Sequence, residues 1–155
     1  MTEPTSTEDT PTPGASTALM EKVGGVAGLT EIITDFYDRL FDDVMIGFMF
    51  WGRDKARLIR HEVQFTARML GAQIPYEGQP MGRAHASLPI MGGQFNRRLK
   101  ILQDVLTDRA VDAEIREVWL GHTERLRVAI LGKGVPPNHC THQIQRDRLA
   151  DGDEG

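Results

Sequence analysis

An all-α fold is predicted by three features of this sequence. Apolar residues recur at three- and four-residue steps in four long segments, the pattern of helices with one buried face. No segment alternates apolar and polar residues with the period of a half-buried strand, and there is no internal repeat. Glycines, prolines and aspartates cluster between the periodic segments, where the chain needs breaks.

Residues 1–18, rich in Thr, Pro, Ser and Glu, read as a disordered tail, with order beginning near Leu19. Gly24 and Gly25 break the chain ahead of a first long helix over residues 26–41, whose inward face is Leu29, Ile32, Ile33, Phe36, Tyr37 and Leu40. Asp42 and Asp43 end it. Residues 44–51, dense in Met, Phe and Ile, are too short for an ordinary helix and read as an apolar corner. Asp54 is placed to cap a second helix over residues 55–70, which Gly71 closes. Residues 72–80 carry two prolines and a glycine and read as a loop. A short helical segment over 81–88 is stopped by Pro89. A helix over 94–106 follows, with Phe95, Leu99, Leu102 and Leu106 on one face. The last helix, over 112–131, turns Ile115, Val118, Trp119, Leu126 and Ile130 inward. Residues 132–155 read as a flexible polar tail, which leaves one domain over 19–131.

Of the 155 residues, 40% are hydrophobic and 26% charged, the balance of a soluble globule. The net charge of -4 offers no basic field for nucleic acid or an anionic membrane. Cys140 is the single cysteine, so no internal disulfide forms and a reducing cytoplasm is the simplest setting. The N-terminus lacks the basic start and apolar stretch of a secretory signal, and no apolar run reaches the length of a membrane span.

Two residues stand out against these patterns. Glu62 shares a helical stripe with Leu58, Phe65 and Met69, and an acid on an apolar stripe is unexpected. Either burial favours its neutral form, which can donate a hydrogen bond, or it turns to solvent or pairs with Arg57 or Arg60. His85 lies between a Pro- and Gly-rich loop and Pro89, a setting that suits either a metal-ligating imidazole or a surface histidine.

The ordered set of features resembles the group I truncated globins, the short relatives of myoglobin. It comprises Gly24-Gly25, Asp35-Phe36-Tyr37, the corner from Phe48 to Gly52, and Leu58, His61 and Phe65. It continues through Leu70-Gly71, Pro75-Tyr76 with Gly78, then Met81 and His85 four residues later, and finally Ile90 and Phe95. The resemblance covers residues 19–131 and implies a two-over-two helical sandwich around haem b.

It further implies that His85 is the proximal ligand of the haem iron, which reverses the odds of the bland reading. His61 falls at the pocket rim near a propionate; a bis-histidine state with His61 is its rival role. Tyr37 matches the distal tyrosine, whose hydroxyl donates to bound dioxygen. Leu58 becomes an apolar gate facing the ligand, Phe50 packs on the porphyrin face, and Phe65, Met81 and Phe95 form pocket wall. Plain core packing is the alternative for each of these apolar residues. Arg83 either reaches a propionate or is exposed, and Tyr76 lies either near the pocket or at the surface. At the register of Glu62 the resembling globins commonly carry glutamine, which donates where an ionised acid only accepts. The second Gly-Gly pair followed by Pro, usual in the family, reads Gly71-Ala72-Gln73 here. His139, Cys140 and His142 carry metal-binding chemistry but sit too close together in a tail to preform a site, and lack the two-cysteine pattern of covalent haem attachment.

Three functions follow from this reading. The first is a haem protein for small diatomic ligands (dioxygen, nitric oxide, carbon monoxide), in oxygen carriage, sensing, or oxidation of nitric oxide to nitrate with a separate reductase. The second is a peroxidase-like enzyme with Glu62 as acid/base. The third is a haem-free helical interaction module.

Overall fold

The computed structural model describes residues 14–79 and 90–131, with side chains from Ala18 onward. All regular structure among the described residues is helical. Helix α1 spans Gly14–Lys22. It begins ahead of Leu19, where the sequence reading places the start of order. Leu19 and Met20 pack against the core and anchor this helix to α2, Gly25–Asp42.

The junction of α1 and α2 needs glycine twice. Gly24 adopts a left-handed φ of 88°, which a side chain disfavours. A Cβ on Gly28 would lie 2.2 Å from the Val23 carbonyl oxygen, so only glycine allows this approach of the first turn of α2. The inward face of α2 is the expected one: Leu29, Ile32, Ile33, Phe36, Tyr37 and Leu40 are all buried. Burying each such aliphatic or aromatic side chain stabilises the fold by about 1.5–3 kcal/mol.

Asp43 shapes the apolar corner. Its Oδ1 accepts from the Met45 and Ile46 amides, and its Oδ2 accepts from Arg97 Nη2 at 2.6 Å. A short 3-10 helix, Gly47–Phe50, follows. Asp54 then caps α3, Lys55–Met69, by accepting from the Arg57 amide at 3.1 Å. Gly71, at φ 98°, lets the Ala72 amide bond back to the Ala67 carbonyl at 2.8 Å and closes the helix.

Helix α3 carries two neighbouring apolar stripes. Val63, Thr66, Ala67 and Leu70 are buried, on a helix that packs against α2. The stripe read from the sequence, Leu58, Glu62, Phe65 and Met69, lies beside it and is only half-buried.

Helix α4 spans Gly92–Asp108 and packs on α2 and on α5, Ala113–Arg125. Phe95, Ile101, Leu102, Val105 and Leu106 are buried on α4, while Leu99 is half-buried. The single last helix expected over 112–131 is instead two, because the chain tightens at Leu126 and resumes as α6, Arg127–Leu131. The Leu126 amide is shared between the His122 and Thr123 carbonyls at 3.2 and 3.1 Å. Arg127 lies buried beyond the break with its guanidinium 4.4 Å from the Phe95 ring centroid and bonded to Glu124. Ile115 and Trp119 are buried as expected, Val118 packs at the edge of the core, and Leu126 and Ile130 are only half-buried. The α2–α3 pair thus stacks on the α4–α5 pair through α2 and α4, a two-over-two sandwich.

Candidate ligand site

Three helices bring one polar group each to the same point. Tyr37, buried on α2, donates from its hydroxyl to Glu62 Oε2 on α3 at 3.4 Å. Arg98 Nη2 on α4 lies 3.4 Å from that same oxygen. The guanidinium also sits over the Phe36 ring, 4.9 Å from its centroid, a cation–π contact that favours a charged group away from water. The pair is mostly enclosed, with side-chain exposure of 24% for Arg98 and 15% for Glu62.

The electrostatics follow from this geometry. Burial, and then the negative charge of Glu62, push the Tyr37 hydroxyl above its ordinary value, so it stays protonated and donates. Burial works against the charge on Arg98, but Glu62 and Tyr37 outweigh it and hold the guanidinium cationic. Both contacts to Oε2 are longer than the 2.7–2.9 Å of a tight charge-assisted bond. Two donors therefore converge on one acceptor without closing tightly on it.

The partner of Glu62 differs from the sequence expectation. Arg57 and Arg60 are exposed, and Arg60 approaches Glu77 at 3.7 Å instead. Positions two and five residues back along a helix do not share the face of Glu62. That face is presented to α4, and Arg98 meets it there.

Around this group stand most of the apolar residues singled out from the sequence. Phe50 meets the Tyr37 ring edge-on at 6.3 Å and the Phe41 ring at 5.4 Å. Phe65 lies 5.6 Å from both the Tyr76 and His122 rings. His61 is half-buried with its ring 6.3 Å from that of Tyr76. The Tyr76 hydroxyl donates to the Gln79 carbonyl at 2.9 Å, and burial, then the charge of Glu62, raise its pKa. Leu58 is half-buried, whereas Phe95 is buried under Arg127. Met81, Arg83 and His85 lie outside the described residues, as do His139, Cys140 and His142. Among the described residues no group of three His, Cys, Asp or Glu side chains could hold a metal ion.

Two members of the site escaped the sequence reading. Arg98 stands three residues after Phe95 and four before Leu102, on the apolar face of α4, as Glu62 does on α3. Opposite charges on two apolar stripes were the available signal. His122 on α5 has a buried Nε2 with no hydrogen-bond partner among the described residues. Burial, then the charge of Arg125, lower its pKa, while Glu62 acts in the opposite sense.

Comparison with known proteins places this arrangement. The family model described as "Bacterial-like globin" matches residues 18–132. The Group 1 truncated hemoglobin GlbN of Mycolicibacterium paratuberculosis is 31% identical over 104 residues, covering 67% of this chain and 76% of that protein. The Group 1 truncated hemoglobin GlbN of Nostoc sp. (strain MUN 8820) is 27% identical over 115 residues, covering 74% of this chain and 98% of the relative. Among solved structures, the 2/2 hemoglobin of Synechococcus sp. PCC 7002, in its cyanomet state with covalently attached heme, superposes with a TM-score of 0.69 at 22% identity, over 73% of this chain and 97% of that one. The Fe(III) truncated hemoglobin of Tetrahymena pyriformis does so with a TM-score of 0.66 at 22% identity, over 74% and 98%. The chain belongs to the bacterial-like globin family and, within it, to the group 1 truncated haemoglobins.

Proposed function

We propose that this globin binds dioxygen and other diatomic ligands at a haem b iron held on the proximal side by His85, with Tyr37 as the distal donor. As a globin, the chain takes haem as its cofactor. The observation that carries the ligand reading is the buried Tyr37 hydroxyl, kept protonated beside the half-buried stripe of α3.

The residues suit a haem. Leu58, Phe65 and Met69 form a half-buried apolar strip that a flat apolar macrocycle would cover. Phe50 adds an aromatic face, and the buried His122 Nε2 adds a polar atom unmatched among the described residues. The donors able to meet a polar ligand, Tyr37 and Arg98, are gathered at Glu62 beside that strip. When bound, ferrous haem supplies the iron that takes dioxygen and shares electron density with it. Tyr37 would offer its hydrogen to a diatomic ligand held there, and Phe50 and Leu58 would exclude water from the approach. His61 is assigned to the rim with Tyr76, and Phe95 and Met81 to the wall.

Oxidation of nitric oxide to nitrate is the reaction we infer for the dioxygen-loaded state, with a separate reductase restoring ferrous iron. A second reading, peroxidase-like turnover, is favoured by one observation: Glu62 stands next to a fixed cation, Arg98, as a base able to take a proton from a peroxide. The cytoplasm is the setting we infer from the single cysteine. No described helix is long and apolar enough to cross a membrane.

Absorption spectra of the ferric, ferrous and carbonyl forms test the assignment. The parent chain is expected to show a haem Soret band that shifts with carbon monoxide, and His85→Gly to lose haem or the spectrum of an imidazole-ligated iron. Unchanged pigment and spectrum in His85→Gly refute the ligand assignment. The same preparations, turned over with peroxide and a reducing dye, separate the two readings, because only the second loses turnover in Glu62→Gln.

A further inference from the structure

We propose that Arg98 makes the iron site selective for small inorganic anions, with Glu62 as a resident competitor that such a ligand must displace. This rests on the distal placement of Tyr37 given above and adds a residue and a ligand class to it.

The argument starts from the cation. A guanidinium cannot shed its proton, so Arg98 brings a permanent positive charge into a largely enclosed space. An enclosed charge is tolerated only near an opposite one, and Glu62 is the acid within reach. Yet the pairing is incomplete. Glu62 Oε2 is 3.4 Å from Arg98 Nη2, a long contact for a group with five N–H donors, which also interacts with the Tyr37 hydroxyl. The same oxygen also takes the Tyr37 hydrogen at 3.4 Å. Tyr37 is thus engaged with the acid, while Arg98 keeps N–H groups to spare for a second acceptor.

A second anion brought beside Tyr37 meets three effects. It is attracted by Arg98, it can accept from Tyr37, and it is repelled by Glu62. The cation–π contact with the Phe36 ring holds the guanidinium in place, so the cation stays while the acid yields. Ligands of two or three atoms with a full negative charge gain most from this arrangement: azide, cyanide, nitrite and hydrosulfide. Neutral carbon monoxide gains least. Arg98 is a specificity residue in this account, and Glu62 sets how strongly the cation is masked.

The test titrates the ferric, haem-loaded chain with sodium azide near neutral pH and follows the Soret band. Arg98→Leu is expected to weaken azide binding by about tenfold or more, Arg98→Lys by less, and Glu62→Gln to tighten it by about tenfold, the factor that separates a masked from an unmasked charge-assisted contact. Carbon monoxide affinity of the ferrous forms is expected to change far less. The infrared stretch of bound carbon monoxide, which falls in a more positive field, is expected to rise in Arg98→Leu and fall in Glu62→Gln. Azide affinities within twofold of the parent in both Arg98→Leu and Glu62→Gln, in proteins that form normal carbonyl adducts, overturn the proposal and leave the haem assignment standing. A parent chain with no carbonyl adduct overturns both. Should Arg98→Leu not fold, Glu62→Gln keeps the cation and the side-chain shape, and its azide affinity decides alone.

Discussion

The Tyr37 hydroxyl has one hydrogen to give, and in this structure it gives it to Glu62. On the proposed function, a bound dioxygen would therefore compete for a donor that is already engaged. Tyr37→Phe removes the donor outright and is expected to speed dioxygen dissociation by roughly 10- to 100-fold, the value of one hydrogen bond to a charged acceptor. Glu62→Gln frees the tyrosine and adds an amide donor, so it is expected to slow dissociation severalfold; stopped-flow displacement by carbon monoxide measures both. Unchanged rates in both variants would remove the distal role from this pair. The faces that Tyr37 and Glu62 occupy were legible in the sequence because the helical period there is unambiguous, and the structure brings the two together. The distal role of Tyr37 was read by resemblance. Arg98 was not legible, since an arginine on a half-buried face ordinarily lays its stem on the core and its head in water. Only the meeting of α3 and α4 reveals that its head turns inward instead. His85 was expected by resemblance alone, since its local setting suits a surface histidine equally well, and it lies outside the described residues.

Helix ends and breaks decide the geometry at the next scale. Asp54 satisfies an α3 amide that otherwise has no partner, and α3 carries both Glu62 and the half-buried stripe. Asp54→Ala is expected to cost about 1 kcal/mol, read as a fall in melting temperature of roughly 3–5 °C. Asp43 ties the corner to α4 through Arg97, and that guanidinium, chiefly, holds its carboxyl below the usual carboxylate value. Its contribution is complete above the unfolded carboxylate value of 3.8 and is lost as pH falls further. Asp43→Asn is therefore expected to be less stable than the parent near neutral pH, with the gap closing in strong acid; parallel urea melts across pH measure it. The caps at Asp54 and Gly71 were readable because their residue types announce them. The break between α5 and α6 was not. Leu126 and Ile130 prolong the apolar period of α5, and the residue that turns inward there is Arg127, stacked on Phe95.

For the molecule as a whole, charge and cofactor set the stable range. His122, pressed toward its neutral form by burial, favours the fold above its unfolded value of 6.5 and withdraws that support as pH drops below it. Burial opposes the ionised form of Asp35, but Arg39 and Arg109 prevail and keep its carboxyl low, so its support fades only below 3.8. The haem-free chain is expected to lose stability in two stages on acidification, near those two values, and His122→Phe to lose the first; circular dichroism melts across pH report this. Haem binds the folded chain, so removing it is expected to lower the melting temperature, and His85→Gly to abolish most of that difference. The all-α class was readable from four amphipathic segments separated by breaks, whereas the two-over-two stacking was read from the resemblance to truncated globins and not from the pattern itself.

Helix α3 keeps its two tasks on separate residues. Val63, Thr66, Ala67 and Leu70 weld it to its neighbours, while Leu58, Glu62, Phe65 and Met69 stand aside from that seam. Exchanges along the second row can retune what the protein welcomes without loosening the frame. New chemistries can thus be explored at little risk to folding, and an acid such as Glu62 on that row is a choice that such a division of labour tolerates.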